Sequence, residues 1–172
     1  ILVITYWSFH DALIQTYTLP YLNIIQEQLP KGSRIFLVTL EKTNQPRVSQ
    51  DIPWLVHVPF MYHPFGIRAF GMWFKLLFSL LWLIRSQKVN TIHTGCTPAG
   101  AMGYLLSILS GKKLVLDSFE PHAQPMMEGG TWRKNGLPYN ILFLAEKLQL
   151  KQATDVICTV QGMILYSQNT YH

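Results

Sequence analysis

Six short runs rich in β-branched and aromatic residues punctuate the chain: ILVITYW, RIFLVTLE, WLVHVPF, VNTIHTG, KKLVLD and DVICTV. Stretches of helical pattern lie between most of them. LPYLNIIQEQL puts Leu19, Leu22, Ile25 and Leu29 near one helical face, with Pro20 suited to a first turn. FGIRAFGMWFKLLFSLLWLIRSQK, PAGAMGYLLSILSG (closed by Gly111), LPYNILFLAEKLQLKQA and the opening of QGMILYSQ read as further helices, while KTNQPRVSQDIP is a polar connector. Strands alternating with helices, without an obvious hairpin signal, predict an α/β fold with about six parallel strands and helices on both faces. At 172 residues the chain has a one-domain length.

In such doubly wound sheets ligands collect at the carboxyl ends of the strands. The strand-end segments therefore carry the functional question. The fifth is KLVLDSFEPHAQPMMEGGTW, Lys113 to Trp132, with Asp117, Glu120, His122 and Glu128 ahead of Gly129, Gly130 and Trp132. Only 13% of the residues are charged, against about 25% in an ordinary soluble domain. Three acids and a histidine on one strand-end loop stand out against that background, and Pro121 and Pro125 stiffen the segment. The alternatives are a positioned site or a solvated polar loop. The spacing of Asp117, Glu120 and His122 is also compatible with a metal, although one loop is weak support for it.

The fourth strand end, HTGCTPAGAMG, matches neither GxGxxG nor a Walker loop. Gly100 and Gly103 read as close helix–sheet packing, leaving His93, Thr94 and Gly95 as pocket-lining candidates. After the first strand, SFHDALIQ offers His10 and Asp11; Asp11 also suits a cap on the helix that follows. The net charge of +5, without a dense Lys/Arg run, argues against a nucleic-acid partner and fits an anionic membrane face or a phosphorylated ligand. Cys96 and Cys158 follow no metal spacing and read as free thiols of a reducing compartment. ILVITYW lacks the basic flank and cleavage site of a signal peptide.

Helix 67–86 is apolar, with Lys75 its only charge between Arg68 and Arg85. Its apolar run reads as interrupted and shorter than the roughly 20 residues of a membrane span. Two placements remain: burial in the core, or a membrane-surface helix presenting Trp73, Phe74, Phe78 and Trp82 between basic residues.

The order of segments, above all LDSFEPHAQPMMEGGTW and AEKLQLKQATDVICTVQGM, resembles the N-terminal, acceptor-side domain of GT-B glycosyltransferases of family 4. The resemblance covers nearly the whole chain, residues 1–172. It implies a Rossmann-like half of a two-domain enzyme, with the C-terminal nucleotide-sugar-binding domain absent from this chain. The chain would then be inactive alone.

The implied activity is retaining, metal-independent transfer of a sugar from a nucleotide-sugar co-substrate to a glycan or lipid-linked acceptor in bacterial surface polysaccharide synthesis. It would act in the cytoplasm, peripherally at the inner face of the plasma membrane if helix 67–86 meets lipid. The resemblance marks Asp117, Glu120 and His122 as catalytic. It places His93 to Gly95 beside them and makes Glu128 to Trp132 a lid or acceptor edge. The family's Gly-Gly turn after strand one is replaced here by SFHDALIQ. A non-catalytic Rossmann-like binding module and a small metal-dependent hydrolase are the rival readings.

Overall fold

The structure is a computed structural model that describes residues 1–42, 52–64, 66–117 and 121–171. Most of the expected connector, residues 43–51, lies outside the described residues, as do Phe65, residues 118–120 and His172. The candidate Glu120 is among them.

Six strands form one parallel sheet: β1 (Leu2–Ile4), β2 (Ile35–Glu41), β3 (Leu55–Met61), β4 (Thr91–Gly95), β5 (Lys113–Asp117) and β6 (Asp155–Val156). Their spatial order is β3-β2-β1-β4-β5-β6, and every pairing is parallel. β1 is central, with Leu2 opposite Phe36 of β2 and Ile92 of β4. β1 and β2 are buried along their whole length because both sheet faces are covered there. The fold is α/β and Rossmann-like, as the alternation of runs requires. DVICTV contributes only two sheet residues, both exposed at an edge.

The helices are α1 (Leu19–Gln28), α2 (Ile67–Ser86), α3 (Thr97–Ser110), α4 (Ala123–Glu128), α5 (Leu137–Gln152) and α6 (Gln161–Tyr171). One face of the sheet packs Leu2, Ile4, Val38, Ile92, Leu114 and Leu116 against α2 and α3, with α5 and α6 at the margin. The other face packs Val3, Ile35 and Leu37 against Ile14 and Leu22.

Gly100 and Gly103 have the packing role read from the sequence. A Cβ on Gly103 would stand 2.5 Å from Thr94 Cγ2 and 2.9 Å from Leu114 Cδ1, and one on Gly100 would run into the Gln149 side chain.

Three local expectations change. The helix after β1 starts earlier than Leu19 and opens with a π-helical turn, Ile14–Thr18, in which Leu19 N–H reaches back to Ile14 O. Pro20 has no N–H to give the carbonyl four residues before it, so a widened turn ahead of it is tolerated. The segment after β5 is not all loop, since 123–128 form α4. Finally, α2 is an unbroken helix of 20 residues, long and apolar enough by length and composition to cross a membrane. It nevertheless sinks Ala69, Met72, Leu76, Leu80, Leu81 and Ile84 into the domain. Phe74, Phe78 and Trp82 point outward, contrary to the core placement, and Trp73 is half-buried.

Candidate functional site

From β1 the chain leads to one side of the sheet, to β2. From β4 it leads to the other side, to β5. The two connections diverge, and the carboxyl ends of β1 and β4 leave a crevice between them, the position at which open α/β sheets take ligands. A cavity of about 370 Å³ occupies it, within the span of roughly 300–1,000 Å³ usual for small-molecule pockets. Thr5 and Trp7 line it from β1 and its loop, Tyr17 and Tyr21 from the helix, His93, Gly95 and Cys96 from β4 and its turn, and Asp117 and His122 from β5 and beyond.

Strand register builds the polar centre. Gly95 pairs with Asp117 and His93 with Val115 across β4 and β5. His93 and Asp117 therefore stand two residues out of register, and their side chains meet diagonally. His93 Nε2 lies 3.0 Å from Asp117 Oδ2, both groups buried. A carboxylate only accepts, so Nε2 carries the hydrogen. Tyr17 donates its hydroxyl to Asp117 Oδ1 at 3.3 Å. The Tyr17 and Tyr21 rings stack with centroids 5.9 Å apart, and Tyr21 lies 6.0 Å from the His93 ring. Burial, with the Asp117 charge and then Tyr17 adding to it, raises the Tyr21 phenol above its ordinary value.

His122 reaches the cavity from the start of α4, its Nδ1 3.3 Å from Thr97 Oγ1. Its backbone is fixed by Glu146 of α5, which is fully buried. Glu146 Oε1 accepts the N–H of His122 at 2.6 Å and that of Ala123 at 3.1 Å, and Oε2 accepts the Tyr171 hydroxyl at 2.8 Å. Residues 123–128 form a helix because this carboxylate serves the first amides that α4 cannot satisfy internally. Next to it, Gln149 donates to Thr97 O at 3.0 Å.

A second buried polar group braces the loop after β1. Glu41 Oε1 accepts the Phe9 N–H at 3.0 Å and the Thr39 hydroxyl, and Thr39 Oγ1 lies 2.7 Å from His57 Nε2.

The two loops expected to converge do so: Asp117 and His122 share the cavity with His93 and Gly95. Thr94 does not line it. Successive strand residues face opposite ways, and its Cγ2 points at Gly103 on α3. His10 is exposed and lines no part of the cavity. Asp11 turns back to accept the Ser8 N–H at 3.0 Å and faces Lys42 at 3.9 Å, a turn brace rather than a cap on the helix. Glu128 is exposed and accepts from Gln124 Nε2 at 2.7 Å. Gly129 ends α4, and Gly130 at φ 75° turns the chain out of it. Glu128 to Trp132 thus form a helix stop outside the cavity lining.

Sequence reasoning missed Trp7, Tyr17, Tyr21 and Glu146. An i, i+4 tyrosine pair after β1 was the available signal.

Cys96 sits at φ 68°, a conformation rare without glycine, and burial pushes its thiol up to about 11, with an Ala99 amide hydrogen bond offsetting part of the rise. It is a protonated, weakly nucleophilic lining group at neutral pH. Among the described residues no three His, Cys, Asp or Glu side chains are grouped as a metal would need.

No family model matches the sequence, and no curated protein sequence matches it. A solved structure titled sucrose-phosphate synthase, from Thermosynechococcus elongatus, superposes with a TM-score of 0.59. The match covers 96% of this chain and 79% of that one at 18% sequence identity. The likeness is one of fold, and the fold is that of one Rossmann-like half of a GT-B architecture.

Proposed function

We propose that this chain is the acceptor-side half of a retaining, metal-independent glycosyltransferase. It would hold a glycan or lipid-linked acceptor for transfer from a nucleotide-sugar in surface polysaccharide synthesis. The observation that carries the reading is the buried His93–Asp117 pair, steadied by Tyr17, in a cavity at the switch point of the sheet. In the reaction the acceptor oxygen bonds to the anomeric carbon, the bond from that carbon to the diphosphate oxygen breaks, and the hydroxyl proton must leave. Asp117 holds the His93 imidazole in the tautomer with its hydrogen on Nε2, which leaves the Nδ1 lone pair suited to take that proton. The Trp7, Tyr17 and Tyr21 rings offer flat apolar surface to the carbon-bound hydrogens of a sugar ring. The start of α3 places its positive end beside Gly95 and Cys96, favourable to the departing diphosphate. The domain that binds most of the nucleotide-sugar would close over this edge.

The test is initial-rate transfer by the full-length protein from a panel of nucleotide-sugars. Asp117→Asn and His93→Ala should each lower turnover by about 10²-fold or more, with unchanged melting. Rates within threefold of wild type in both would refute the assignment. Ligand binding without transfer by the full chain would favour the non-catalytic module.

A further inference from the structure

We propose that the outward face of α2 docks this domain on an anionic lipid bilayer. The inference rests on the α2 surface alone and is independent of the transferase reading.

Ile67, Phe70, Phe74, Phe78 and Trp82 are 87%, 64%, 47%, 62% and 70% exposed. Their spacing of three and four residues puts them on one stripe, about 22 Å long. The ribbon is continuous: the Phe70 and Phe74 rings are 4.6 Å apart and those of Phe74 and Phe78 6.3 Å. It extends sideways into an apolar groove where Phe78 and Trp82 meet Val58 and Phe60 of β3. At about 200 Å² per large side chain, the five exposed fractions amount to roughly 650 Å². The largest patch of an ordinary monomer is about 300–600 Å².

Charge chooses the occupant. Arg68, Lys75, Arg85 and Lys88 are all exposed, and no acid lies between Gly66 and Lys88. Among the described residues none of the four is ion-paired. A bulky apolar stripe within a purely cationic segment is the makeup of a helix lying in the headgroup region of an anionic membrane. A second copy on the same face would bring two cationic rims together. Spanning the bilayer would tear Leu76, Leu80 and Ile84 from the sheet, so the helix lies on the surface.

The test uses the full-length protein in flotation with vesicles of equal phosphatidylcholine and phosphatidylglycerol, and with phosphatidylcholine alone. The protein should float with the anionic vesicles, less with the neutral ones, and less as salt is raised. Phe74→Ser, Phe78→Ser and Trp82→Ser combined should reduce partitioning by at least about 100-fold with unchanged melting, since the three are exposed. Arg68→Glu with Lys75→Glu should reduce it by at least about fivefold per residue on anionic vesicles. Trp82 emission should move to the blue on binding, a change that Trp82→Phe removes. Protein that stays in the buffer at every composition overturns the proposal, as does flotation that survives the triple substitution. A dimer that the triple substitution dissolves, without vesicle binding, assigns the face to a second copy and overturns it equally.

Discussion

Replacing Glu146 should unfold the domain more readily than replacing any catalytic candidate. Its carboxylate is fully buried and receives three hydrogen bonds, from the His122 and Ala123 amides and the Tyr171 hydroxyl. Glu146→Ala removes the acceptor of the His122 and Ala123 amides and leaves the Tyr171 hydroxyl only its contact with Tyr166. Each amide that loses its acceptor costs about 1–3 kcal/mol, the phenol less, tempered by the loss of the burial penalty on the charge itself. A net loss of about 3–5 kcal/mol follows, and for a domain of this size about 2–4 °C of melting temperature per kcal/mol.

Glu146→Gln separates geometry from charge. Its carbonyl still accepts both amides, and its NH2 can donate to the Tyr171 oxygen once the phenol hydrogen turns away. Only the charge-assisted part is lost, about 1–2 kcal/mol. Urea and thermal unfolding of the three proteins give the order wild type, Gln, Ala. Tyr171 supplies an independent readout. Burial first, then the Glu146 charge, raise its phenol above the ordinary value of 10. In the Gln variant the ultraviolet titration of Tyr171 should move down. An Ala variant within 1 kcal/mol of wild type, or a Gln variant as damaged as Ala, would refute the reasoning.

The same phenol predicts an alkaline limit. A raised folded pKa keeps the proton on Tyr171 after the unfolded chain has lost it. Its contribution is therefore complete below pH about 10 and is lost as pH rises beyond that. Tyr171→Phe should show a shallower fall in melting temperature between pH 9 and 11, and an equal fall removes Tyr171 as its source. Gly103→Ala should destabilise by about 1–2 kcal/mol, because overpacking against Thr94 and Leu114 outweighs the gain in helix propensity; a melting temperature at or above wild type would contradict it. Tyr17→Phe removes a 3.3 Å bond to Asp117 and should cost under about 1 kcal/mol of stability while weakening ligand binding in the cavity, measured by calorimetry.

The parallel sheet was legible because short continuous apolar runs alternate with helical runs, and that pattern leaves little topological freedom. The meeting of His93 with Asp117 was legible for the same reason, since adjacent parallel strands end on one edge. Gly100 and Gly103 betrayed themselves by sitting in a helix where glycine is unfavourable. Glu146 did not. An acid in LAEKLQL reads as a solvated helix residue, and only a contact 24 residues away makes it structural. Residues 123–128 were hidden with it, because the cap that makes them a helix comes from another element. The outward turn of Phe74, Phe78 and Trp82 was one of two placements the sequence offered, and packing against the sheet, through Leu76, Leu80 and Ile84, decided between them and took Trp73 half inside.

The widened turn at Ile14–Thr18 amounts to one residue added to a helix. A residue corresponds to about 100° of rotation, so the insertion decides which way everything before it faces relative to everything after. Tyr17 sits inside that turn and reaches Asp117 from it. Removing a single residue there, Thr16 for example, would tighten the turn to ordinary α geometry and swing the phenol off the carboxylate with every chemical group of the cavity still encoded. The pocket is thus sensitive to chain length as well as to residue identity. Aligning relatives of this chain across residues 12–20 requires a one-residue gap to be weighed, or a solvent-facing neighbour will be matched to the tyrosine that meets the acid.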